Sequence, residues 1–127
     1  MVWIDLFGPV NVTSRTGNQY MLDIVDDYTN YFFSIPLAMK DQAYPILQTW
    51  QLDIEKETGE KVKIYSVDNC TELKSGQVEA WLKDTGTQQC FSAPYTSAHI
   101  SHVERMHHTF MGKARTMHLY ARCPKNL

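Results

Sequence analysis

The spacing of apolar residues changes from strand-like to helix-like along this chain of 127 residues, and that change restricts the possible folds. Three short runs of strand-forming residues come first, separated by turn-forming residues such as Gly8-Pro9. They cover residues 2–7, 19–25 and 31–37, and the third run is expected to end near Pro36. Consecutive strands usually pair with their neighbours, so this segment predicts an antiparallel meander.

Helical spacing begins after the meander and alternates with two further strand-like runs. Asp41 is expected to cap a helix that continues to about Lys56, and Thr58-Gly59 is expected to end it. A strand over 62–67 follows, and it ends directly before Asp68. A strand–helix–strand order of this kind favours parallel pairing.

The remaining part of the chain predicts two more helices around one short strand. The first helix runs from Ser75 to near Gly86, the strand covers 88–92, and a long helix covers about 102–121. The order β-β-β-α-β-α-β-α predicts an α/β domain, with helices packed on a mixed five-stranded sheet. The apolar stripe of the last helix should contain Val103, Met106, Phe110, Ala114, Met117 and Ala121.

Composition supports one folded domain over residues 1–127, because 43% of the residues are hydrophobic. No apolar run approaches the roughly 18–20 residues of a membrane span, so no membrane partner is expected. The three cysteines fit no zinc-binding spacing.

The net charge is −2, but residues 1–95 carry −6 while residues 96–127 carry +4 and all five histidines. An acidic body beside a basic helix suits cation and phosphate binding, although a solvated surface would give the same pattern.

Three carboxylates lie at positions that favour a metal site. Asp5 is inside the first strand, Asp68 ends the fourth strand, and Glu104 is expected in the first turn of the last helix. A strand aspartate is costly to bury unless it is paired, solvated or bound to a cation, and hard cations choose carboxylate oxygens.

Each of these residues also has a structural interpretation. Asp5 could be a satisfied strand aspartate, Asp68 could start a turn, and Glu104 could favour a helix N-terminus. Asp23 is a weaker rival to Asp5, because it too lies inside a strand. The pair His107-His108 has no other ligand nearby in sequence and is interpreted as solvated helix surface.

Four segments carry a resemblance to a known family: 3–9 (WIDLFGP), 24–29 (IVDDYT), 67–72 (VDNCTE) and 91–96 (FSAPYT) followed by Val103-Glu104-Arg105. In this order they resemble the catalytic core of integrases from copia-type LTR retrotransposons, which are RNase H-like. The resemblance covers almost the whole chain. Thirty-five residues separate Asp68 from Glu104, the spacing typical of such integrases.

The sequence departs from the family pattern in two places. Cys70 occupies a position that is usually glycine, and residues 97–102 (SAHISH) replace a stretch that is usually Pro-Gln-Gln-Asn-Gly-Val. The chain is expected to be a catalytic core without the zinc-binding N-terminal domain and the C-terminal DNA-binding domain.

The resemblance implies that Asp5, Asp68 and Glu104 hold two Mg²⁺ or Mn²⁺ ions for cutting and joining DNA. Asn69 is expected to touch the substrate, and a basic stripe of Arg105, His108, Arg115 and Arg122 is expected to contact phosphates. The partners would be the retroelement ends and target DNA, and the location the nucleus, with a cytoplasmic particle as a second location. The resemblance also implies a homodimer, with helix 41–56 and an exposed Trp50 as the suggested interface.

Two other functions stay open at this level. A catalytically silent RNase H-like module that binds DNA or another partner is favoured by the altered 97–102 segment and opposed by the intact carboxylates. An RNase H-type nuclease acting on RNA–DNA hybrids is less favoured, because that family usually carries a fourth carboxylate. Metal binding would separate the enzymes from the silent module, and joining of DNA ends would separate the integrase from the nuclease.

Overall fold

A computed structural model describes residues 1–67, 71–91 and 97–125. It contains five strands, β1 (Val2–Phe7), β2 (Tyr20–Asp26), β3 (Phe32–Leu37), β4 (Ile64–Val67) and β5 (Gln88–Phe91). Three α-helices are interspersed, α1 (Ala43–Thr58), α2 (Gly76–Thr85) and α3 (Ser97–Tyr120). The predicted order of strands and helices is confirmed, with boundary shifts at several ends.

The five strands form one mixed sheet in the order β3-β2-β1-β4-β5. β1 pairs antiparallel with β2, and β2 with β3, which confirms the meander. β4 pairs parallel with β1 on its other side, and β5 pairs parallel with β4. β1 is therefore the central strand, and Pro36 is tolerated because β3 lies at the edge of the sheet.

One face of the sheet carries the main hydrophobic core. Alternate residues of the strands point to this face and pack against the inner surfaces of α1 and α2. Tight connections keep the sheet in register: at Gly8 (φ +125°), where β1 ends, a Cβ would lie 2.7 Å from the carbonyl oxygen of Gln19. The buried core residues of the strands are Val2, Ile4, Leu22, Ile24, Leu37, Tyr65 and Val67.

The opposite face of the sheet is more polar and is crossed by α3. Trp3 and Val25 are buried there with Phe32 packed against them. Asp5, Asp23 and Ser34 occupy the next cross-strand positions on the same face, as the pairings Asp5↔Asp23 and Asp23↔Ser34 require. We call this surface of the sheet the polar face.

Three predictions about the helices are wrong. Asp41 does not cap α1, because it lies inside a 3-10 turn (Lys40–Gln42) and the α-helix begins only at Ala43. Trp50 is not exposed but buried (8%), with its ring edge against Phe33. The last helix begins at Ser97, five residues earlier than expected, so Glu104 lies about two turns inside it rather than in its first turn.

The apolar stripe predicted for α3 is only partly packed. Met106 is half-buried and Phe110 stacks on Phe32, but Ala114, Met117 and Ala121 are exposed. Most of the described side chains after Met111 are exposed, so this half of the helix is little covered by the rest of the described chain. The other helix ends agree with expectation: Gly59 and Gly86 adopt left-handed conformations after α1 and α2, and Ser75 occupies the N-cap position.

Candidate active site

Asp5 lies on the polar face in the middle of the central strand. It is half-buried, and its cross-strand neighbour on β2 is Asp23. On the other side of β1, Ile4 pairs with Val67, so the described part of β4 ends beside Asp5. Asp68 and Asn69 follow Val67 in the chain and lie outside the described residues. The pairing of β1 with β4 therefore puts Val67, the residue directly before Asp68 in the chain, near Asp5.

Asp23 is fully buried and both of its carboxylate oxygens accept hydrogen bonds. The hydroxyl of Ser34 donates to Oδ1 at 2.6 Å, and Nδ1 of His107 donates to Oδ2. Buried carboxylates are costly unless they are paired and hydrogen-bonded, and these two donors meet that requirement. Asp23 is thus a structural carboxylate that joins β2 to β3 and to α3, whereas its neighbour Asp5 is partly open to solvent.

His107 is buried, with 7% of its surface exposed, so the prediction that it is solvated helix surface is wrong. Its ring also packs on Phe7, with 4.4 Å between the ring centroids. His108 is exposed, as predicted. The helical spacing contained a signal: His107 lies four residues after Val103 and three before Phe110, on the stripe expected to face the sheet.

The contacts of α3 define its direction across the polar face. His107 touches Phe7 on β1 and Asp23 on β2, while Phe110 stacks on Phe32 of β3 at 4.4 Å. The helix therefore crosses the strands from β1 towards β3. Glu104 precedes His107 by three residues, about 4.5 Å along the axis, which is close to the ~4.8 Å spacing of strands. Its exposed side chain thus starts on the β1–β4 side of His107.

The predicted phosphate-binding side chains lie on the outer surface of α3. Arg105, His108 and Arg115 are all exposed. Arg122 has a positive φ of 51° and lies beyond the end of the helix, so the predicted stripe does not continue to it. Exposed basic side chains on a helix that crosses the polar face suit contact with a polyanion.

The chemistry of the candidate ligands fits a hard divalent cation. Asp5 and Glu104 offer carboxylate oxygens, and Asp5 is partly solvated and flanked by a second carboxylate, where a cation would relieve charge repulsion. Within 1–67, 71–91 and 97–125, no three His, Cys, Asp or Glu side chains form a group that could hold a metal. Asp68 lies in one of the gaps, so the predicted trio as a whole stays a prediction.

Two acidic residues within the segments that resemble the family have structural roles. Asp26 lies at the turn between β2 and β3, where its carboxylate accepts hydrogen bonds from the N–H and hydroxyl of Thr29. Burial raises the pKa of Asp26, but the bonds from Thr29 outweigh it and hold the pKa below the ordinary value. Glu72 forms a 3.5 Å ion pair with Lys40, as suits a supporting surface residue.

Comparisons with known proteins agree with this arrangement. Residues 1–97 match the family described as "Integrase core domain". The chain is also 32% identical, over 126 residues, to the "Retrovirus-related Pol polyprotein from transposon TNT 1-94" of Nicotiana tabacum. That alignment includes 99% of this chain but 10% of the polyprotein, so the chain spans about a tenth of the length of this relative. In the described part of the chain, no helix has the length and hydrophobicity of a membrane-spanning segment.

Proposed function

Because the chain belongs to the integrase core domain family, we propose that it is a metal-dependent polynucleotidyl transferase that integrates retroelement DNA by 3′-end processing and strand transfer. The family implies a retroelement integrase-type function and interaction with DNA. The observation that carries the more specific proposal is the position of Asp5. It lies half-buried on the central strand, beside the end of β4, under the helix that carries Glu104.

In this proposal Asp5, Asp68 and Glu104 hold two Mg²⁺ or Mn²⁺ ions. Bound cations of this kind supply charge stabilisation and a more acidic bound water or hydroxyl for phosphoryl transfer. The protein's own part is positioning. The pairing of Ile4 with Val67 supports this proposal, because it puts the end of β4 beside Asp5, and the helix α3, which carries Glu104, contacts β1 and β2 through His107.

The outer surface of α3 binds the DNA backbone in this proposal. Arg105 and Arg115 donate to phosphate oxygens, and His108 lies between them on the exposed side of the helix. Asn69 is proposed to contact the substrate next to Asp68. Contacts to phosphates orient the duplex without reading its bases, which suits an enzyme that joins one DNA to many targets.

A homodimer and a nuclear location, with a cytoplasmic particle before integration, belong to the same proposal. Helix α1 remains the suggested dimer surface, but Trp50 cannot form it because it is buried. Leu52 on the outer side of α1 is 69% exposed and replaces it in the proposal. Sedimentation of the wild type and of Leu52→Glu would test this, because a dimer through α1 should dissociate in the variant.

The alternative function is a catalytically silent RNase H-like module that keeps the fold and binds DNA or another partner. Cys70 and residues 97–102 favour it, because both depart from the family pattern next to the proposed ligands. An intact set of carboxylates has no purpose in such a module, so metal binding distinguishes the two functions.

The test combines metal titration with joining of a branched DNA substrate. We expect joining by the wild type to require Mn²⁺ or Mg²⁺ and to disappear in Asp68→Asn. Asp84→Asn, an exposed aspartate on α2, is the matched control and should retain activity. Metal binding without joining would favour a site that needs further domains to handle DNA. If the wild type neither binds metal nor joins DNA, the result would favour the silent module.

A further inference from the structure

We propose that His107 is the positioning residue of the active site. Its hydrogen bond to Asp23 holds α3 across the polar face in the one register that puts Glu104 beside Asp5 and the end of β4. The role of Glu104 as a metal ligand rests on the function proposed above, whereas the seating of the helix by His107 does not.

The first observation concerns how the described side chains of α3, from residue 104 onward, contact the sheet. Among the side chains of this helix described from residue 104 onward, His107 alone is buried. Phe110 stacks on Phe32 but is 43% exposed, and Met106 and Met111 are half-buried. Within the described part of the helix, His107 is therefore the most deeply buried contact with the polar face.

The second observation is that the partner of His107 is a buried carboxyl group. Asp23 is 0% exposed, and Ser34 supplies its other hydrogen bond. If the helix moved along its axis, Oδ2 of Asp23 would lose its hydrogen bond to His107 while still covered by the helix, which would cost free energy. A shift of one residue would also rotate the helix by about 100° and turn His107 away from the sheet. The pair therefore selects the register of α3.

The third observation links this register to the proposed metal ligands. Asp23 is the cross-strand neighbour of Asp5, so the anchor point lies next to the central carboxylate. Glu104 lies almost one turn before His107 and is exposed, and the two are neighbours on the helix surface because they are three residues apart. Fixing His107 at Asp23 consequently fixes Glu104 on the β1–β4 side. Residues that orient metal ligands in this way typically change metal affinity or activity by about 10–100-fold when they are lost.

The experiment compares His107→Leu, His107→Asn and His107→Gln with the wild type. Leucine fills the space but provides no donor. The amide nitrogen of asparagine lies close to the position of Nδ1, whereas that of glutamine reaches the position of Nε2, so asparagine should restore the bond and glutamine should not. His108→Leu makes the same change at the exposed neighbour and is the matched control.

Two measurements are made on each folded variant, as judged by circular dichroism. Mn²⁺ binding to the protein is measured by calorimetry, and amide hydrogen exchange of α3 is measured without metal. We expect His107→Leu and His107→Gln to weaken Mn²⁺ binding by about 10–100-fold and to speed exchange in α3. His107→Asn should bring both values back towards the wild type, and His108→Leu should leave both unchanged. If the leucine variant does not fold, the comparison of asparagine with glutamine still tests the role of the Nδ1 position.

Wild-type Mn²⁺ affinity in a folded His107→Leu variant would overturn the proposal, as would asparagine and glutamine variants that behave alike. A further outcome is that the wild type binds no Mn²⁺ while amide exchange in α3 is faster in His107→Leu and His107→Gln than in the wild type and His107→Asn. In that case the proposed function fails, but the seating of the helix by His107 is supported.

Discussion

Asp5 and Asp23 lie directly opposite each other on β1 and β2, yet only Asp5 is open to solvent. Asp23 is closed off by Ser34 and His107, which donate to its two oxygens. Two strand aspartates that look alike in the sequence therefore have different roles: one holds elements of the fold together, and the other is positioned to bind a cation.

Replacing Asp5 with asparagine should abolish metal-dependent joining of DNA. The loss should exceed the roughly 10–100-fold typical of supporting residues, because Asp5 is a proposed direct ligand. The variant should remain folded, because asparagine has nearly the same size and shape as aspartate. Joining assays and urea unfolding measure the two effects, with Asp53→Asn on the exposed side of α1 as the control. An Asp5→Asn variant that joins DNA normally would contradict the assignment of Asp5.

Replacing Arg115 with glutamine should weaken DNA binding to the same degree for every sequence. Each phosphate contact contributes about 0.9 to the slope of log affinity against log salt concentration, so the slope should fall by about one. Fluorescence anisotropy over a range of salt concentrations measures this. Arg15→Gln, in the loop between β1 and β2, makes the same change away from α3 and should leave the slope unchanged. Equal slopes for the wild type and Arg115→Gln would show that Arg115 does not contact a DNA phosphate.

Glu55 should make the stability of the protein depend on pH in the acid range. Burial raises the pKa of Glu55, but hydrogen bonds from Lys61, Gln51 and the N–H of Val62 outweigh it, so the pKa lies below its ordinary value of 4.5. A lowered pKa in the folded state stabilises the protein above about pH 4.5, and this contribution is lost as the pH falls through the folded-state value.

The corresponding variant is Glu55→Gln, which keeps an acceptor for Gln51 but cannot titrate. Its free energy of unfolding should fall less steeply than that of the wild type between pH 5 and the acid limit of folding, in urea titrations followed by circular dichroism. Glu57→Gln, an exposed residue of the same helix, is the control. Parallel curves for the wild type and Glu55→Gln would show that this contact does not contribute.

Replacing Tyr65 with phenylalanine should destabilise the core without affecting DNA joining. The hydroxyl of Tyr65 donates to Oε1 of Gln51 at 2.8 Å, and both side chains are buried. Burial, and to a lesser extent the charge of Glu55, raises the pKa of Tyr65 far above its ordinary value, so the hydroxyl remains a donor. Leaving Gln51 without this donor should cost about 1–3 kcal/mol in thermal or urea unfolding.

Tyr44→Phe is a suitable comparison for Tyr65→Phe, because the hydroxyl of Tyr44 has partners nearer to solvent and its loss should cost less. Activity at permissive temperature should be unchanged in both, since these hydrogen bonds lie on the α1–α2 side of the sheet, away from the polar face. A Tyr65→Phe variant as stable as the wild type would show that Gln51 finds another donor.

Most elements of the fold could be predicted from the sequence because they depend on local patterns. The strand-forming residues at 2–7 and the breaker pair Gly8-Pro9 predicted β1 at its observed bounds, and Gly59 and Gly86 end their helices as expected. Capping and helix starts were less predictable. The 3-10 turn before α1 depends on Gln42, whose side chain accepts from the N–H groups of Ala38 and Met39.

The helical spacing placed His107 on the stripe expected to face the sheet, but the spacing alone did not decide whether His107 or Trp50 would be buried. An aromatic residue on an amphipathic helix can face a core or a partner, and only the packing of α1 against Phe33 decides for Trp50. The two histidines at 107 and 108 are chemically identical, and the helix turns one inward and the other outward.

The sequence by itself determined the order of the strands and helices, because periodicity and turn-forming residues act over short stretches of chain. It also indicated three candidate carboxylates, whose joint role as metal ligands remains a prediction. The tertiary structure decided the strand order with β1 at the centre. It also gave Asp23 and Asp5 different roles, because Asp23 accepts a hydrogen bond from His107, which lies 84 residues away in the chain. Contacts between distant residues exist only once the sheet and α3 have packed together. The role of a buried charge depends on which donors that packing brings to it.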